Sequence, residues 1–142
     1  MGYTIRYFTT SPLGSLVPLQ AQMIQAEFEV HPAGTNQLDI FYHPDHGPLT
    51  VDLTDSTQAT TQREIAQFIE AVTERGGPER DTVLSVLVQT QALVAVGVPD
   101  DAQEVNADVL PMVLDIIANL GDGLFHVQGE GFYAGNDLIF EL

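Results

Sequence analysis

The chain has 142 residues, 44% of them hydrophobic, with twenty acidic side chains against four arginines and a formal net charge of −16. That length fits one domain, residues 1–142, and that apolar share is enough for one core. The absence of cysteine excludes disulfides, thiolate nucleophiles, zinc knuckles and iron–sulfur clusters. The absence of lysine excludes Schiff-base chemistry and the phosphate-gripping lysine of a P-loop. So few cations argue against nucleic acid and against an anionic membrane surface, and favour a cation or a basic protein surface as partner. Solubility, or a salty cytoplasm that screens self-repulsion, accounts for the acidity as a bulk property. No apolar run approaches the roughly 18 residues of a membrane span, and residues 1–6 lack the apolar stretch of a secretion signal. A cytoplasmic protein is the expectation.

In chain order, Tyr3 to Phe8 alternates like a half-buried strand, and Pro12, Gly14 and Pro18 mark residues 10–20 as a loop. Ile24, Ala26, Phe28 and Val30 alternate with polar residues, as do Leu38, Ile40 and Tyr42, and then Leu49, Val51 and Leu53. Turn-forming residues at 32–36 and 43–48 separate the three segments, which predicts an antiparallel meander. Thr61-Gln62-Arg63-Glu64 has the form of a capping box, followed by Ile65, Phe68, Ile69 and Val72 on one helical stripe that Gly76-Gly77-Pro78 ends. Asp81 can cap a short helix to Val88, and the β-branched stretch Ala92–Val98 predicts a buried strand, with the boundary inside 82–91 left open. Asp108 is placed to cap a buried helix through Leu120, and residues 124–142 predict a hairpin turning at 134–137. The pattern predicts an α+β fold: a mainly antiparallel sheet, N-terminal meander plus C-terminal hairpin, packed on one face by two or three helices.

Pairing Val30 with Leu38 and Tyr42 with Leu49 keeps the apolar rows on one face and sets Glu29, Asp39 and Asp52 opposite one another on the other. Facing like charges are unfavourable, so the row needs Arg6 beside it, a hard divalent cation such as calcium or magnesium, or screening by water and salt. His43 and His46, three residues apart in a turn with His31 near, form a second candidate, because two imidazoles and a carboxylate can hold a transition metal. A solvated turn explains the same residues. His126 is expected to face outward from its strand. Gly129 and Gly131 lack the following helix of a nucleotide fingerprint, so a bulge or a close backbone approach accounts for them. Residues 100–108 are acidic but lack the spacing and central glycine of an EF-hand loop.

The functional expectation is a non-enzymatic interaction or binding protein acting through a protein partner or self-association, as a homodimer that uses the terminal hairpin as a free sheet edge. The alternative is a small metal-binding protein or metal-dependent hydrolase using His43, His46 and the carboxylates Glu29, Asp39 and Asp52. No catalytic residue and no cofactor beyond that divalent cation is expected. A small-ligand pocket between sheet and helices would leave no trace in the sequence.

Overall fold

The computed structural model describes residues 2–34 and 36–142; Thr35, in the first expected meander turn, lies outside the described residues. The alternating segments become strands, and the chain runs β1 (Tyr3–Thr9), α1 (Val17–Gln25), β2 (Glu29–Pro32), β3 (Gln37–Phe41), β4 (Leu49–Asp55), α2 (Ala59–Arg75), α3 (Arg80–Val88), β5 (Ala92–Val98), α4 (Ala102–Val105), α5 (Val109–Ala118), β6 (Gly123–Val127), β7 (Gly131–Ala134) and β8 (Asp137–Glu141). All eight strands join one antiparallel sheet in the order β2-β3-β4-β5-β1-β6-β7-β8. The α+β class and the mainly antiparallel sheet are those the pattern predicts.

The helices cover both faces of this sheet rather than one. Ile5 and Tyr7 of β1 join a core with α1 and α5, where Leu19, Met23, Val113 and Ile117 are fully buried. Phe8, on the opposite side of the same strand, joins a second core with α2 and α3 through Ile65, Val72, Val83 and Leu87. The second face is covered only in part, and Thr50 of β4 remains exposed on it. A strand clothed on both sides is apolar at successive positions, as β5 is in Ala92-Leu93-Val94.

Local departures from the predicted elements have identifiable causes. Residues 17–25 are helix, not loop and strand: Pro18 sits in the first turn, where its missing N–H costs nothing, and Leu19 and Met23 align at i and i+4. Ile24 is thereby left 52% exposed, and the strand expected to start there shrinks to Glu29–Pro32. Helix α2 begins at Ala59, so Thr61 is buried inside it and caps nothing, while Gly76 ends it with φ +69° as expected. The C-terminal hairpin is a three-stranded meander, because Gly129 (φ +84°) inserts a turn between β6 and β7. A Cβ at Gly131 would lie 2.1 Å from the Phe140 carbonyl oxygen, and the β7–β8 ladder shifts register at Phe132/Tyr133. Close approach beside a bulge explains Gly131, whereas a Cβ at Gly129 would meet nothing within 4 Å, and that glycine is there for the positive φ of its turn.

The meander register also differs. Observed pairs are Val30 with Ile40 and His31 with Asp39, then Ile40 with Leu49, Asp39 with Thr50 and Gln37 with Asp52. Both ladders are offset by two residues from the predicted pairing. A two-residue offset preserves which face each side chain takes, so the apolar pattern cannot detect it.

Candidate binding site

The three carboxylates of the predicted row do share the sheet face opposite the first core, but none faces another. Glu29 is opposite Phe41, Asp39 lies between His31 and Thr50, and Asp52 is opposite Gln37. The offset turns direct opposition into diagonal separation, which removes most of the repulsion the predicted register implied. His31 Nε2 lies 3.5 Å from Glu29 Oε2 on the surface. Arg6 does not neutralise the row. It pairs with Glu64 of α2 through Nε.

His43 and His46 are brought together, with ring centroids 4.8 Å apart, in the turn after β3. The partner of His46 is Asp101, at the end of the β5–α4 connection: its Oδ2 lies 2.5 Å from His46 Nδ1, and its Oδ1 accepts from the Tyr42 hydroxyl at 3.3 Å. The hydrogen bond from His46 holds the Asp101 carboxyl below its ordinary range, while burial and Asp101 push the Tyr42 phenol up. His43 Nδ1 accepts the Asp45 N–H at 3.0 Å, which places the proton of its neutral ring on Nε2. Among the described residues no three histidine, aspartate or glutamate side chains gather as a metal-holding group. The predicted set of His43, His46, Glu29, Asp39 and Asp52 is thus not assembled as one cluster.

A different site emerges on the second face. Cross-strand pairing lines up Gln37, Asp52, Ala95, Arg6, His126, Phe132 and Phe140 in one row across seven strands. The row grades from polar to apolar, and Arg6 and His126 stand where it changes. Ala95 is too short to fill the space beside Arg6, whose guanidinium instead rises to Glu64 and lies 5.4 Å over the Phe68 ring. On α2, Thr60, Arg63, Glu64, Gln67 and Ala71 recur at helical spacing along one flank. That flank, Arg6, Phe68 and Leu142 enclose an open cleft of about 490 Å³.

His126 lies beside this cleft, 5% exposed rather than facing outward. Its ring packs against Phe68 at 4.7 Å and Phe132 at 4.8 Å between centroids, and neither ring nitrogen has a hydrogen-bond partner among the described residues. Burial lowers its pKa; the Leu142 main chain, near but completing no hydrogen bond, opposes that, and Arg6 adds to the lowering. The neutral imidazole is therefore favoured. Sequence reasoning missed this site because it depends on β1 pairing with β6, 120 residues downstream. The alternation Leu124, His126 against Phe125, Val127 was legible, but not that α2 would cover the histidine's side.

No family model matches the chain, and no curated protein or solved structure matches it either.

Proposed function

We propose that this chain is a non-enzymatic binding protein whose small-molecule ligand seats in the cleft along α2. The observation that supports this most is His126. A buried polar ring without a partner costs about 1–3 kcal/mol, a cost more often kept at functional sites than in passive cores. Two of the groups lining the cleft adjoin it: Phe68 packs on the imidazole, and Arg6 lies over the Phe68 ring. The remaining lining offers donors at Thr60, Arg63 and Gln67 and an apolar wall at Ala71, the mixture a ligand site needs. Ala71→Trp would fill the cleft from its α2 wall. Native mass spectrometry after incubation with a fractionated small-molecule extract should show a bound adduct on the wild-type chain that Ala71→Trp, folded by circular dichroism, has lost. An adduct kept by that variant would place the ligand elsewhere.

A second reading, a divalent-metal site at the His43–His46 turn, is supported by Asp101. A carboxylate on His46 Nδ1 fixes the ring so that Nε2 presents its lone pair, the outer-shell arrangement typical of metal-ligating imidazoles. His43 would have to give up its bond to the Asp45 N–H to join it. Zinc, nickel and manganese should raise the melting temperature over a chelated control, and His46→Ala should abolish the rise. If no metal raises it, this reading is withdrawn.

A further inference from the structure

The cleft also gathers two of the chain's four guanidinium groups. Residues 59–88 hold three of the four arginines and only five of the twenty acidic residues. The fourth, Arg6, reaches the same layer from the sheet through Glu64. Among the side chains lining the cleft are two guanidinium groups, Arg6 and Arg63, and one carboxylate, Glu64, which engages Arg6. Arg63 makes no ion pair among the described residues, in a chain of net charge −16. Arg6 is engaged with Glu64 through Nε and held over Phe68, so its Nη groups keep their own donors. A guanidinium fork matches the two oxygens of a carboxylate and binds them in its own plane.

We propose that the ligand is a small organic carboxylate, a monoanion whose carboxylate is gripped by Arg63 and the Nη groups of Arg6 and whose apolar body lies against Ala71 and Leu142. This rests on the cleft being the binding site. A phosphate-sized dianion fits less well, since its second charge would lie beside the Glu64 carboxylate. Glu64 then has a defined part: it competes with the ligand for Arg6. Removing its charge should tighten binding, whereas removing the charge of Arg63 should weaken it. Opposite signs from adjacent residues on one helix are not what general destabilisation produces.

The test is an amide-resolved NMR titration of the full chain with sodium benzoate, with benzamide as its neutral isostere, and with inorganic phosphate. Benzoate should shift the amides of Thr60, Arg63, Gln67, Ala71 and Leu142, and benzamide should bind them at least ~10-fold more weakly. Arg63→Gln should weaken benzoate by ~10-fold and Glu64→Gln should tighten it, while Arg80→Gln, outside the lining, should leave it unchanged. Benzamide binding the cleft as tightly as benzoate would overturn the anion assignment and leave the cleft standing. Phosphate binding there more tightly than benzoate would overturn the carboxylate. Shifts lying outside the cleft, or none, would overturn both the carboxylate and the cleft. Should Glu64→Gln fail to fold, the comparison of Arg63→Gln with Arg80→Gln still decides.

Discussion

His126 illustrates how one side chain can couple binding to stability. Buried among Phe68 and Phe132 with both ring nitrogens unpartnered among the described residues, it favours the neutral form in the folded chain. Its folded pKa lies below the unfolded value of about 6.5, so as pH falls the unfolded chain takes up this proton first. The stability linked to His126 is thus fully present above about pH 6.5 and declines as pH drops toward the lower folded pKa. His126→Phe removes both the unpaired nitrogens and this linkage. We expect the variant to melt at or above the wild-type temperature at pH 7.5, with the gap widening as pH falls below about 6.5. Parallel melting curves for the two proteins across that range would contradict it. A more stable His126→Phe that binds less ligand would mark the histidine as kept for use rather than for folding.

At the scale of elements, the meander shows what hydrophobic patterning can and cannot specify. Face is set by parity, so Leu38, Ile40, Leu49, Val51 and Leu53 all reach the first core, as their alternation requires. Partner identity is set by the turn, and the connection after β3, with the His43–His46 bridge and Pro48 inside it, is longer than a tight hairpin. Ile40 rather than Tyr42 therefore meets Leu49, and Asp39 meets Thr50. Thr50→Asp should cost about 0.2–1 kcal/mol through repulsion from Asp39, and the cost should vanish in an Asp39→Asn background. A denaturant double-mutant cycle with no coupling between the two positions would rule out this register. Helix α1 carries the complementary lesson. Its stripe of Leu19 and Met23 was readable, but Pro18 and the alternation that follows it argued for loop and strand until tertiary burial chose the helix.

Over the whole molecule, charge is unevenly spread. The α2–α3 layer is close to balanced, and most of the −16 resides on the remaining surface. Screening should therefore stabilise the chain, with melting temperature rising from low to high salt. A melting temperature independent of salt would show that self-repulsion is not a significant cost. The same series bears on self-association. Strand β8 is a sheet edge, and antiparallel pairing with a second copy about Ile139 would oppose Asp137 to Glu141. Dimerisation through this edge should accordingly appear by light scattering only at high salt, and Leu138→Lys should suppress it. The other edge, β2, is four residues long and ends in Pro32, a blunted strand by comparison.

The sequence by itself determined the excluded chemistries, the α+β class, the strand β5, the helices α2 and α5, and the face each meander residue takes. These follow from residue types that are present or missing and from local periodicity, and neither needs a distant partner. Tertiary structure alone decided the registers, the division of helices between two faces, and the fate of Arg6 and His126. Each of those depends on pairings between segments far apart in the chain, above all β1 with β5 and β6. The acidity that dominates the composition turned out to describe the surface away from the proposed site. What distinguishes the cleft is where two of the four arginines and one buried histidine come to rest, and their positions in the chain do not encode that separately from the fold.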